Sequence, residues 1–417
     1  MKGASVARRS NRESGKGRDA EAGTFFDEQV LARLRRNLVR WFHKHGRDLP
    51  WRRSRDAYRI WVSEIMLQQT TVVAVVPYFE RFLARFPTIH SLAQAREHDV
   101  LRLWEGLGYY SRARNLRLAA KQVVAESSGT LPHELSELIR LPGIGRYTAG
   151  AIASLAYDRP APIVEANTLR VYARLLAFDG DVHSTAGRNV IWNFAERAVP
   201  RRSARIFNQA LMDLGAMICT PVEPRCPECP VRSCCRAFRD GVELDIPRPR
   251  TRPQPTFVND AMIAVRKDGR YLLRRSPPGE RWAGLWEFLR ISLGEGKLQK
   301  NGDNRRAKSS SQLHALSAST VRQIEQAVAE RSGLMADAQP HAFEFHHTVT
   351  RFRIRLLCVI AEYQSGAVKP QDNFRWVTLK QFGKLALSMP ARKFADQLTA
   401  SAELSTARDS AEAARDR

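Results

Sequence analysis

The sequence predicts a mainly α N-terminal half joined to a small α/β C-terminal domain, and three observations carry that prediction. From Phe25 to about Leu214 apolar residues recur at spacings of three and four, as in Leu31, Leu34, Leu38 and Trp41 and again in Leu101 and Trp104, with Leu103 between them. This is the period of successive amphipathic helices. Asp245 to Pro255 reads DIPRPRTRPQP, whose prolines forbid a helix and favour an extended connector. Beyond it, Ala261-Met262-Ile263-Ala264-Val265 and Phe352-Arg353-Ile354-Arg355-Leu356 signal strands, with a helical stretch near Val321 to Ala329.

A chain of 417 residues has room for two or three domains, each with its own core. The expected divisions are a basic arm at 1–24, a helical domain at 25–244, a proline-rich linker at 245–256, an α/β domain at 257–399 and a tail at 400–417. The arm, the Gly-, Lys-, Asn- and Ser-rich stretch 294–313 and the tail carry too little apolar surface to pack and are expected to be disordered. Lys and Arg number 67 against 43 for Asp and Glu, a formal net charge of +24, which favours a polyanionic partner, nucleic acid ahead of an anionic membrane. No run of 18 apolar residues occurs, and the basic N-terminus has no apolar stretch of the signal-peptide kind, so neither membrane insertion nor secretion is expected. The expectation is a cytoplasmic, nucleoid-associated monomer.

Five of the six cysteines lie between Cys219 and Cys235, too crowded for a distributed disulfide framework and consistent with a reducing compartment. Cys219, Cys226, Cys229 and Cys235 form C-x6-C-x2-C-x5-C, four thiolates within 17 residues, enough to surround one cluster or ion. Spacing alone leaves a structural zinc open, and Cys234 is an alternative fourth ligand. Cys358, in an apolar strand, reads as a buried thiol. Arg225, Arg232 and Arg236 flank the ligands, where they suit phosphate.

Leu141-Pro142-Gly143-Ile144-Gly145-Arg146-Tyr147-Thr148-Ala149-Gly150 follows a helix-like stretch, Glu134 to Arg140, and opens another that ends near Tyr157. Gly143 and Gly145 let backbone N–H groups approach a phosphate at a helix N-terminus; alone, such a string is also an ordinary turn. Glu64 stands in Trp61-Val62-Ser63-Glu64-Ile65-Met66-Leu67-Gln68-Gln69-Thr70, an apolar helix where desolvation keeps a carboxyl protonated. A solvated surface position is the alternative.

Together these motifs resemble the endonuclease III and MutY-type adenine DNA glycosylase family, over about Phe25 to Leu387. The resemblance implies a helix-hairpin-helix glycosylase fold of two helical subdomains, a [4Fe-4S] cluster on Cys219, Cys226, Cys229 and Cys235, and a Nudix-like C-terminal domain. It implies base-excision repair, with adenine removed from double-stranded DNA where it pairs with 8-oxoguanine or guanine. That hydrolysis needs an acid for the leaving base and an anion for an oxocarbenium-like sugar. By the match to SE(V/I)MLQQT, Glu64 delivers a proton to adenine N7. In Ile163-Val164-Glu165-Ala166-Asn167-Thr168-Leu169-Arg170-Val171, Glu165 takes the place of the family's usual Asp, one methylene longer, and Ala166 that of the usual Gly, with Asn167 as a neighbour. Read alone, Glu165 is a carboxylate favoured at a helix N-terminus. Tyr147 holds the position where bifunctional relatives carry a nucleophilic lysine. No lysine lies between Lys121 and Lys267, so a monofunctional glycosylase is expected, with Tyr147 near the sugar.

Extruding a base requires side chains that enter the duplex. The resemblance gives that part to Leu67, Gln68, Gln69 and Tyr109, with Arg112 and Arg114 on the DNA backbone; a core tyrosine beside surface arginines is the alternative. Trp51, Arg52 and Asp213 match adenine-pocket residues and equally read as packing and a surface ion pair. Arg281-Trp282-Ala283-Gly284-Leu285-Trp286-Glu287-Phe288 and the strands around it resemble the Nudix-like domain that reads the opposing lesion. Gln326 to Leu334 keeps one acid where a Nudix hydrolase clusters several for its metal, so binding without nucleotide hydrolysis is expected. Val349, Thr350 and Arg351 align with a lesion-reading loop that is often Phe-Ser-His; strand-edge packing is the other reading. The rival functions are an endonuclease III-like or G:T mismatch glycosylase, opposed by the missing lysine and the C-terminal domain, and a non-catalytic DNA-damage binder, opposed by Glu64.

Overall fold

In a computed structural model of the chain, residues 26–249, 254–280, 282–295, 313–368 and 373–415 are described. The basic arm and most of the 294–313 loop lie outside them.

The first half is helical: α1 (Glu28–His45), α2 (Ala57–Leu67), α3 (Val72–Arg85), α4 (Ile89–Gln94), α5 (Glu97–Leu103), α6 (Ser111–Ser127), α7 (Leu135–Leu138), α8 (Arg146–Tyr157), α9 (Ala166–Leu176), α10 (Thr185–Ala198), α11 (Ala204–Met217) and α12 (Arg236–Arg239). Asp27 caps α1 by accepting from Val30 N at 2.8 Å, and Leu31, Leu34 and Leu38 face the core, as the spacing of three and four requires. Asp56 caps α2. The second half holds β1 (Thr256–Lys267), β2 (Arg270–Arg275), β3 (Trp286–Glu287), β4 (Leu289–Glu295), β5 (Leu313–Ala315), α13 (Ala318–Ser332), β6 (Leu334–Val349), β7 (Phe352–Gly366), β8 (Phe374–Thr378), α14 (Leu379–Phe382) and α15 (Met389–Arg415).

Contacts divide the chain into two units. One takes the chain up to Phe79, Thr88–His90 and Leu118–Arg250; the other takes Glu80–Pro87, Ser91–Arg117 and the chain from Thr251 on. In the first, α11 packs on α1, α8 and α9, and α2 packs on α8. In the second, a mixed sheet runs β3-β2-β1-β7-β6-β5, with β4 on β1 and β8 on β2; β1 and β7 are parallel. Alternation along the strands sorts two cores: Met262, Ala264, Leu356 and Cys358 pack with Phe382 and Phe394 on one face, and Ala261, Ile263, Leu357 and Val359 with Ile324 and Val328 on the other. The sheet is covered by helices on both sides.

Three expectations on domain limits change. Residues 80–87 and 91–117 group with the C-terminal sheet rather than with the other helices, held by Arg392 on Glu105 (2.6 Å) and Arg114 on the Ala283 carbonyl (2.6 Å). The linker is anchored where it begins: Ile246 is buried and its carbonyl accepts from Arg174 Nε at 2.8 Å. The tail expected at 400–417 continues α15 to Arg415, because its Ala, Glu, Leu and Arg residues extend a helix once packed residues have nucleated it.

Candidate active site and nucleic-acid interface

Glu64 lies in a helix buried along almost its whole length and is itself 2% exposed. Desolvation pushes its carboxyl up to about 7; the Tyr147 hydrogen bond and the charge of Arg52 pull it down, and Glu165 pushes it up. Tyr147 Oη donates to Glu64 Oε2 at 2.6 Å. The phenol is itself lifted well above its usual value by burial and then by Glu64. An acid poised at this point exchanges protons near neutrality.

Tyr147 is placed by the glycine turn. Gly143 has φ +78°, a conformation that favours glycine, and Gly145 is the N-cap of α8 with no side-chain cap, leaving first-turn N–H groups for an anion. Gln68 Nε2 donates to Thr148 Oγ1 at 3.2 Å, tying the end of α2 to the start of α8. Leu67 closes α2, and Gln69 follows in a left-handed conformation, φ +59°.

Glu165 is the N-cap of α9. Its oxygens accept from Asn167 N (2.8 Å) and Thr168 N (2.9 Å), while its own N–H donates to Thr168 Oγ1 (2.9 Å), a capping box. The longer side chain thus folds back on its own helix, yet its charge still acts on Glu64 and Tyr147. Asn167 Oδ1 accepts from Arg170 Nη2 at 3.0 Å, and Arg170 also holds the carbonyls of Cys219 (2.7 Å) and Gly215 (2.8 Å).

Arg52 and Asp213, expected as pocket residues, are joined to each other. Arg52 Nη1 and Nη2 donate to Asp213 at 2.7 and 2.9 Å, and Arg47 adds its backbone N–H (2.9 Å) and Nε (2.7 Å). Asp213 is 0% exposed. Desolvation would raise its carboxyl, but Arg52 and Arg47 hold it below the ordinary range. Trp51 is buried, edge-on to Phe79 with ring centroids 5.4 Å apart.

In the second unit Tyr109 is 49% exposed with φ +49°. The arginines expected on DNA are otherwise engaged. Arg112 is buried, donates to the Leu107 and Gly108 carbonyls (3.1 and 3.0 Å) and lies 5.5 Å from the rings of Trp104 and Tyr109. Arg114 is bound to the Ala283 carbonyl at 2.6 Å. Val349 pairs with Phe352 across β6 and β7, leaving Thr350 (φ +53°) and Arg351 as a two-residue turn. Tyr109, Val349 and Thr350 line one cavity of about 400 Å³ together with His346, His347 and Lys393; Arg351 does not line it and stacks on Phe352 instead (5.2 Å). The two histidines and Lys393 escaped the sequence reading, although adjacent histidines just before an aligned loop are a usable signal.

Cys219, Cys226, Cys229 and Cys235 border one small cavity with Arg174. Cys234 is fully buried in the helical core and is not among them. Burial raises Cys226 and pushes Cys229 and Cys235 up to about 12, with mutual repulsion adding to it, so these three thiols ionise readily only against a cationic centre. Arg174 Nη1 donates to Cys219 Sγ at 3.3 Å. Among the described residues no three His, Cys, Asp or Glu side chains close to single-ion distances; what the four sulfurs share is a cavity wall.

Residues 62–195 match the HhH-GPD superfamily of base excision DNA repair proteins, and residues 261–397 match the NUDIX domain. The chain is 37% identical to the adenine DNA glycosylase of Mus musculus over 64% of this chain and 62% of that protein, somewhat under two thirds of its length. It is 32% identical to that of Rattus norvegicus, over 88% of this chain and 78% of that one, and 32% identical to that of Homo sapiens, over 88% and 74%. With both halves matched in order and most of the rat and human proteins spanned, the chain belongs to the adenine DNA glycosylase family.

Proposed function

We propose that the protein hydrolyses the N-glycosidic bond of adenine lying opposite 8-oxoguanine or guanine in duplex DNA, without a covalent lysine intermediate. The observation that carries this reading is the buried Glu64 carboxyl with the Tyr147 hydroxyl 2.6 Å from it. Glu64, protonated, donates to N7 of the extruded adenine and so makes the base a better leaving group. Glu165, an anion fixed at the α9 N-terminus, stabilises the sugar cation electrostatically, and Tyr147 keeps the acid in place. Gly143 and Gly145 present backbone N–H groups to a phosphate beside the target. Tyr109 and the Val349-Thr350-Arg351 turn read the opposing base, the cavity that Tyr109 shares with Val349 and Thr350 supporting that pairing of roles. Cys219, Cys226, Cys229 and Cys235 are the residues that would hold a [4Fe-4S] cluster, which when bound fixes the loop carrying Arg225 and Arg232.

Base release is measured from duplexes carrying A opposite 8-oxoguanine, G, C or T, with wild type and Glu64→Gln. Release opposite 8-oxoguanine and G that Glu64→Gln abolishes is the expected result. It should weaken as the pH rises through about 7, where the acid loses its proton. Tight binding with no release from any duplex would replace this reading with that of a DNA-damage binder.

A further inference from the structure

Tyr109 stands in a turn that a side chain does not adopt without support. Gly106, Gly108 and Tyr109 have φ of +101°, +71° and +49°, so three of the four residues from 106 to 109 are left-handed. A Cβ added to Gly108 would meet nothing within 4 Å; backbone conformation, not crowding, asks for glycine there. At Tyr109 a large side chain occupies the same kind of conformation, a strain that persists only where the surroundings over-determine it. The ring is 49% exposed, so its own burial does not offset that strain.

Arg112, the second residue of α6, supplies what the ring lacks. It is 8% exposed. Its backbone N–H donates to the Tyr109 carbonyl at 2.9 Å, and its Nη2 donates to the carbonyls of Leu107 (3.1 Å) and Gly108 (3.0 Å). Trp104 Nε1 gives the Gly108 carbonyl a further donor at 3.2 Å. The guanidinium lies 5.5 Å from the centroids of both the Trp104 and the Tyr109 rings, within cation–π reach. One side chain therefore grips the two residues before Tyr109 and the ring itself. A guanidinium committed in this way and nearly shut off from solvent is badly placed to meet a phosphate, the part that the family resemblance gives it. We propose that Arg112 is the positioning residue for Tyr109: it holds the ring half-exposed in its strained conformation before a duplex arrives, so that insertion needs no further ordering, and it makes no phosphate contact of its own. The inference rests on the reading of Tyr109 as a ring that probes the duplex.

The test is a double-mutant cycle on the full chain, each variant shown to be folded by urea titration. Adenine release opposite 8-oxoguanine, as kcat/KM, should fall about tenfold in Arg112→Gln and in Tyr109→Ala, and the double variant should be no worse than the poorer single, because one residue acts through the other. Arg112→Lys keeps the charge but not the planar donor group, so it should resemble Arg112→Gln; it carries the same comparisons should Arg112→Gln fail to fold. The slope of log affinity against log salt should match wild type in Arg112→Gln, whereas a lost phosphate contact would lower it by about 0.9. A duplex with 2-aminopurine beside the base opposite the adenine reports the ring without the reaction. It should brighten when wild type binds and stay dim with either single variant, even if no adenine is released, so failure of the excision reading and failure of this one are told apart. Losses that multiply in the double variant, a salt slope lowered by Arg112→Gln, or a 2-aminopurine signal that either single variant leaves intact would each overturn the proposal.

Discussion

Glu64 is buried at the expense of the fold. Its carboxyl is raised from 4.5 to about 7, so the folded state disfavours the anion. The penalty is absent below the unfolded value and fully present above about 7, where it amounts to about 3 kcal/mol at 1.36 kcal/mol per unit. Glu64→Gln is therefore expected to unfold at a higher urea concentration than wild type at pH 8, the difference narrowing as the pH falls toward 4.5. Asp213 behaves in the opposite way. Asp213→Ala strands Arg52 in a largely buried position and should destabilise by about 3 kcal/mol or more, read from the urea midpoint. The sequence made Glu64 legible, because apolar neighbours at helical spacing imply burial. It offered the Glu165 cap as one reading of a carboxylate before a helix. It could not join Arg52 to Asp213, since the partners are 161 residues apart and neither has a local signal of the other.

At the scale of elements, the glycine turn and α8 form the most constrained segment. Gly143→Ala would force an alanine to φ +78°, costing about 1–2 kcal/mol, and should weaken duplex binding beyond the loss of stability, as a filter-binding titration would show. Gly150 lies on the inner side of α8, where an added Cβ would sit 2.3 Å from the Pro162 carbonyl oxygen; α8 is thus seated directly on the segment that leads to Glu165. The long helices and the buried strands were legible through their periods of 3.6 and 2. The short helix α4 was not, because one or two turns carry too few apolar residues to show a period, whereas α5 and α7 fall within stretches that read as helical. The order of the sheet, in which β1 pairs with the distant β7, depends on contacts that no local pattern contains.

For the whole molecule, a formal charge of +24 makes counterion release a large part of duplex affinity, so binding should fall on the order of 100-fold or more between 50 and 200 mM salt, measured by fluorescence anisotropy. The division into a helical part and a sheet part was legible from composition and from the prolines between them. The grouping of residues 91–117 with the sheet was not, since it rests on pairs such as Arg392 with Glu105 that link opposite ends of the chain.

Arg174 has one further consequence. A buried guanidinium that holds the Ile246, Thr220 and Pro221 carbonyls as well as Cys219 Sγ gives the cysteine loop a keystone made of protein. Such a mould is set by protein contacts alone, so the loop is expected to keep its shape whatever the four sulfurs hold, and to take it up without passing through an unfolded chain.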